Sequence, residues 1–170
     1  EPDKADKLFL NTYFDQSLRR EVNLEKGFSP GENLSTLLAV HADQSDKKMD
    51  ENKDGFLDMP LLTNVNVLSK WKFDNHRGLE SKNSVKYLFE NRMGGQSVFD
   101  FAKDNSDSAA YGQKLKTNRF EFYGQTGFIM PTEKFHSVGF QYVALYHDQQ
   151  GFYGLKTYSG KQQDVYLRLI

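Results

Sequence analysis

The chain has 170 residues, a formal net charge of −1 and no cysteine. Its length suffices for one domain with a real core, and the missing cysteine excludes a disulfide scaffold, thiolate zinc centres and cysteine nucleophiles. A pI near 6.5 comes without the basic stripe that a nucleic-acid partner needs, so no nucleic acid is expected.

Aromatic residues make up 14% of the chain and all hydrophobic residues only 38%. This mixture suits strands, whose pleated surface packs aromatic and β-branched side chains. No run of about 18 apolar residues is present, which excludes a membrane helix. A transmembrane barrel imposes no such requirement, because it needs only alternation within each strand.

In chain order, period-two alternation appears weakly over residues 7–16, 21–28 and 34–43. Residues 29–33 (SPGEN) form a short turn and residues 44–62 a long connection. The clearest strand follows at 63–74. One face there reads Val65, Val67, Ser69, Trp71, Phe73, and the other Asn64, Asn66, Leu68, Lys70, Lys72, Asp74. After the short NHRG turn at 75–78, residues 81–91 set Val85, Tyr87 and Phe89 against Lys86, Leu88 and Glu90. A long polar stretch over 92–117 leads to a weaker strand at 118–130 and a short PTE turn at 131–133. Residues 136–146 then set Val138, Phe140, Tyr142, Ala144 and Tyr146 against Ser137, Gly139 and Gln141. A long connection over 148–160 precedes 164–170, where Val165, Leu167 and Leu169 oppose Asp164, Tyr166 and Arg168. The chain stops while still reading as strand, so a processed chain or a piece of a longer one is expected.

The expected fold is therefore all-β: an antiparallel up-and-down meander of about eight strands. Short and long connections alternate, as they do in outer-membrane barrels with short periplasmic turns and long extracellular loops. A soluble sandwich or barrel also alternates, with its apolar face inward. Loop parity favours the meander as part of a transmembrane β-barrel, with residues 1–170 as one barrel segment, membrane lipid as a partner and the outer membrane as its location. Trp71, Tyr87, Tyr142 and Tyr146, near strand ends, fit interfacial girdles and equally fit ordinary core aromatics.

Within the first long connection, D-x-N-x-D-G runs from Asp50 to Gly55. It matches the first half of an EF-hand loop. Asp50, Asn52 and Asp54 turn alternate oxygens toward one centre, Gly55 permits the bend, Phe56 offers its carbonyl and Asp58 takes the ninth position. Oxygen ligands at this density suit Ca²⁺. The twelfth position is Leu61 rather than Glu, and no helices flank the loop, so Asp43, Asp46, Glu51 or water would complete the shell. A solvated acidic turn is the alternative.

His41, His76, His136 and His147 lack metal-binding spacing, and no nucleophile elbow, P-loop or dinucleotide fingerprint appears. Asp104 and Asp107 lie in a stretch too polar for a tuned catalytic pocket. The Arg19–Arg20 pair is expected to cap a strand end in solvent. No enzyme activity is expected.

The run KKMDENKDGFLDMPLLTNVNVLSKWKF, followed by SVKYLFENRMGGQ, resembles the barrel of TonB-dependent outer-membrane receptors of the Bacteroidetes type. It is most similar to the group related to cobalamin transporters. TNRFEFYGQTGF and SVGFQYVALYHDQQGFYG fit the same barrel. The resemblance implies a 22-stranded barrel plugged by an N-terminal domain and energised through the TonB complex. It also implies extracellular acidic loops that bind calcium and order a site for cobalamin or a siderophore-like metal chelate. This chain holds neither plug nor TonB-contact segment, so the TonB complex would reach it only through that missing domain. The remaining alternatives are a small autonomous outer-membrane barrel, as an adhesin or structural protein, and a soluble calcium-binding β module.

Overall fold

The computed structural model describes residues 2, 8–102, 110–131 and 136–170. Eight antiparallel strands form one sheet in strict sequence order. They are β1 (Phe9–Phe14), β2 (Arg20–Gly31), β3 (Leu34–Ser45), β4 (Leu61–Asp74), β5 (Leu79–Gly95), β6 (Gly112–Ile129), β7 (Ser137–Tyr153) and β8 (Lys156–Leu169). The expected meander is present, with every strand paired to its neighbour in sequence. β1 and β8 each leave one edge without a partner strand in this order.

Several strands run longer than their alternation indicated. β5 extends through Arg92–Gly95, where residues 92–117 read as loop, and β6 begins already at Gly112. The long connection expected at 148–160 does not exist. β7 continues to Tyr153, β8 starts at Lys156, and Gly154 at φ +62° turns the chain between them. The polar residues Gln149, Gln150, Ser159 and Lys161 belong to the ladder. They read as loop because the apolar half of the alternation stops before the hydrogen bonding does.

The tight turns at 32–33 and 75–78 lie at one end of the sheet, with the 130–136 connection. The connections 15–19, 46–60, 96–111 and 154–155 lie at the other, which is called the long-loop end below. Short and long connections thus alternate as expected up to the last, which is tight.

Cross-strand partners share a face, so the register sorts the side chains. One face carries Leu24, Val40, Val67, Tyr87, Phe120 and Tyr146 in a single row across β2–β7. Six residues nearer the tight turns lie Phe73 on β4, Phe140 on β7 and Leu169 on β8. The opposite face carries Asn23, His41, Asn66, Leu88, Arg119, His147 and Gln162 in one row. All alternation faces expected from the sequence hold.

The apolar face is a band, not a core. Among the described residues, the buried apolar side chains are Leu37, Leu61 and Phe99, whereas Leu10, Val165 and Leu169 are 62%, 75% and 74% exposed. No second layer covers the sheet among the described elements, since every element contact is between sequence-adjacent strands.

The band runs obliquely. Its limit at the long-loop end is Phe14 on β1 and Val165 on β8. The residue level with Phe14, followed through every ladder, is Ser159, six positions short of Val165. Six residues at ~3.3 Å against seven strand spacings of ~4.8 Å give a slope of about 30°. Measured at right angles to that slope, Val138–Tyr146 on β7 and Leu79–Phe89 on β5 give a band ~23–29 Å tall. One charge, Lys26 on β2, falls inside it.

Candidate functional site: the joined loops

The 46–60 loop leaves β3 and returns to β4; the 96–111 loop does the same between β5 and β6. Because β4 and β5 are neighbours, both loops emerge side by side, and they dock. Phe56 and Gln96 form an isolated antiparallel bridge. The Leu57 amide donates to the Gly95 carbonyl, and the Ser97 amide donates to the Gly55 carbonyl, each at 2.9 Å.

Gly55 (φ +86°) supplies the left-handed bend that points its carbonyl at the second loop. Lys48 crosses the same gap. Its ammonium donates to the Ser97 and Phe99 carbonyls, both at 2.8 Å, and lies 5.0 Å from the centre of the Phe101 ring.

Phe99 anchors the joint and is 1% exposed, the only described side chain so fully enclosed. It meets Phe101 edge-on at 5.1 Å and Phe152 of β7 at 6.0 Å. Its ring lies on Gly112, where an added Cβ would fall inside it. The largest enclosed side chain therefore lies outside the sheet. Lys48, Ser97, Phe99, Gly112 and Phe152 were not singled out from the sequence. The available signal was Phe99 and Phe101 at alternate positions in an otherwise polar stretch, which marks apolar residues with somewhere to be buried.

The acidic residues form a looped hydrogen-bonding circuit. Asp50 Oδ2 accepts from the Gly55 amide at 3.1 Å and from Ser97 Oγ at 3.4 Å. Asn52 Oδ1 accepts from the Asp54 amide at 3.1 Å, and Asp54 Oδ1 from the Phe56 amide at 2.8 Å. Asp58 Oδ2 accepts from the Glu51 amide at 2.7 Å, while the Asp58 amide donates to the Met49 carbonyl. Five of the loop's own amides are thus satisfied locally.

The other oxygen of Asp50 is different. Oδ1 is buried without a hydrogen-bond partner, a costly arrangement for a carboxylate oxygen. It fits an oxygen-binding cation, for which an orphaned carboxylate oxygen is a ready ligand. Among the described residues, no three His, Asp or Glu side chains converge on one point. Asp43 and Asp46 are taken up elsewhere. Asp43, 5% exposed, is held by Arg19 through Nε at 3.2 Å and Nη2 at 3.0 Å, and Asp46 pairs with Arg20 at 2.8 Å.

Arg20 caps in solvent as expected, but Arg19 folds onto the polar face. Its guanidinium is held above its ordinary pKa, first by the hydrogen bonds to Asp43 and then by that carboxylate's charge. Asp15, in the same 15–19 turn, accepts from the Ser17 hydroxyl, the Ser17 amide and the Arg19 amide. These bonds, the hydroxyl foremost, hold its carboxyl below the usual aspartate range.

His41 and His147 share a row of the polar face. His41 Nδ1 lies 2.7 Å from Asn23 Oδ1, and His147 Nδ1 is buried without a partner. His76 lies in the 75–78 turn, where its amide donates to Asp74. Asp104 and Asp107 fall outside the described residues. No protein-family model, curated protein or solved structure matches the chain.

Proposed function

We propose that this chain is a wall segment of a TonB-dependent outer-membrane receptor that takes up cobalamin or a related large metal chelate. The joined loops form part of its extracellular ligand-binding rim. The observation that carries the reading is the oblique apolar band on a sheet with no covering layer. Its slope of about 30° approaches the ~35–45° tilt of strands in barrels, and its height brackets the ~25 Å apolar belt of an outer-membrane barrel.

Tyr87, Phe120 and Tyr146 line the band's long-loop side, as aromatic girdles do. Trp71 and Tyr142 share a row nearer the tight turns. The polar face then lines a wet interior. There Glu121 pairs with Arg119 and accepts from Tyr123 Oη at 2.7 Å.

A soluble calcium-binding module would have to bury this band, and the described chain offers nothing to bury it against. An autonomous eight-stranded barrel needs a ladder between β1 and β8, and the sheet order contains none. The TonB complex would act through a plug domain, and no chemistry is performed on the ligand.

In this reading Asp50, Asn52, Asp54, the Phe56 carbonyl and Asp58 would hold Ca²⁺ by drawing in around the partnerless Asp50 Oδ1, since the acids do not converge in this structure, and the bound ion would cross-link the oxygens of the loop. Asp50 also touches Ser97, so ordering one loop stiffens the other. Cobalamin affinity of the full receptor, measured with Ca²⁺ and with a chelator, tests this. Chelation, or Asp50, Asp54 and Asp58 changed together to Ala, is expected to weaken binding about tenfold (~1.4 kcal/mol), with no Ca²⁺ rescue of the variant. Equal affinity in every condition refutes the role of the loop.

A further inference from the structure

Charge is distributed unevenly over the apolar face. Among the described strand residues, the charged side chains on it are Arg20, Lys26, Lys114, Lys116, Asp148 and Lys161. All but Lys26 lie on the long-loop side of the band, and none lies on the tight-turn side. Arg20 is engaged by Asp46, which leaves the concentration on β6–β8.

Lys116 is level with Gln150 on β7, and Lys161 is level with Asp148, two residues nearer the band. The two lysines therefore flank β7, their strands roughly 10 Å apart. Lys116 extends its ammonium to within 6.0 Å of the Phe89 ring centre, against the last aromatic of the band on β5. Lys161 is 64% exposed and 3.9 Å from Asp148. Among the described strand residues Asp148 is the only carboxylate on this face, and it is largely buried, at 17% exposure. The surface thus passes from rings and aliphatic chains to ammonium groups and amides within two to four residues along each strand.

We propose that this strip is a docking site for the phosphate-bearing headgroup of an anionic lipid. The acyl chains would lie on Phe120, Phe122 and Val165, and the phosphate over β7, reached by Lys161 from one side and, once its ammonium swings off the Phe89 ring, by Lys116 from the other. The occupant follows from continuity, because an amphiphile alone matches a basic strip that borders an apolar band on the same face. Juxtamembrane lysines attract anionic headgroups over about a Debye length. The inference rests on the reading that the band meets lipid.

The test uses the intact membrane protein in nanodiscs of phosphatidylcholine with a minor fraction of phosphatidate. Quenching of Trp71 by bromine-labelled acyl chains, taken as the difference from Trp71→Phe, reports whether the band meets lipid. Native mass spectrometry counts the phosphatidate retained by the wild type and by Lys116→Gln/Lys161→Gln. Quenching is expected in both proteins, with phosphatidate retention lowered about tenfold by the double substitution and phosphatidylcholine retention unchanged. Quenching with equal phosphatidate retention overturns the headgroup site and leaves the barrel reading standing. Absence of quenching overturns both. Displacement of phosphatidate by inorganic phosphate at matched ionic strength overturns the lipid as occupant.

Discussion

Phe99→Ala should undock the two loops without unfolding the sheet. The ring is 1% exposed and packs on Phe101, Phe152 and Gly112. An aromatic side chain of this size buries ~150–250 Å², and at ~25 cal/mol per Å² its removal forfeits about 4–6 kcal/mol before relaxation. Measured Phe→Ala costs of ~3–5 kcal/mol agree. The sheet is expected to lose little, because it meets the ring at Gly112 and Phe152 near the strand ends, while the hydrogen bonds that join the two loops lie outside the ladders. The loss should therefore appear as local opening. Hydrogen exchange reads it directly at the Leu57, Gln96 and Ser97 amides, whose acceptors are Gly95, Tyr111 and Gly55. Opening made easier by ~3 kcal/mol raises their exchange about a hundredfold, or to the unprotected limit, while mid-strand amides of β4 and β5 change little. Protection of these three amides within threefold of wild type would refute the anchor. So would equal loss of protection in loops and strands, which would place Phe99 in the global core.

Two further outcomes are expected. Gly124 lies beneath the Tyr142 ring, whose hydroxyl donates to Asn83 Oδ1, and an added Cβ would overlap that ring. Gly124→Ala should therefore destabilise by ~1–3 kcal/mol, more than Tyr142→Phe at ~0.5–1.5 kcal/mol; urea unfolding in detergent showing the reverse order would sink this packing. In the 15–19 turn, the Asp15 pKa is depressed in the folded state, first by the Ser17 hydroxyl. Its stabilising contribution is therefore complete above the unfolded aspartate value and fades as pH falls through the lower folded value. Carboxyl NMR should show Asp15 titrating below the ordinary aspartate value, with the Ser17 amide shift following it and Ser17→Ala moving the midpoint upward; a midpoint insensitive to Ser17 contradicts the cause.

Face assignment was legible in the sequence because alternation is local. Val65, Val67, Trp71 and Phe73 fall on one face whatever they pair with, and so do Lys70, Lys72 and Asp74 on the other. Strand ends were less legible. Lys114, Lys116, Gln149, Gln150, Ser159 and Lys161 are all ladder residues, yet both faces are polar there and period-two contrast vanishes. The same polarity made 148–160 look like a long loop, although Gly154 and Leu155 suffice to turn the chain.

The acidic loop shows the division within a single site. Asp50, Asn52, Asp54 and Gly55 announced a bend rich in oxygen ligands, since their spacing is a property of the local chain. That Asp50 reaches Ser97, that Lys48 bonds Ser97 and Phe99, and that Asp43 is claimed by Arg19 depend on residues about 24–51 positions apart. No local pattern encodes such distances.

The order of residues by itself determined the all-β meander, the two faces and the acidic bend, because backbone alternation and turn chemistry act over a few residues. Only the tertiary structure decided the register, and with it the slope of the apolar band, the neighbourhood of Lys116 and Lys161, and the docking of one long loop on the other. Those features are sums over many ladders, and a shift of a single residue in any one would move every side chain beyond it to the opposite face.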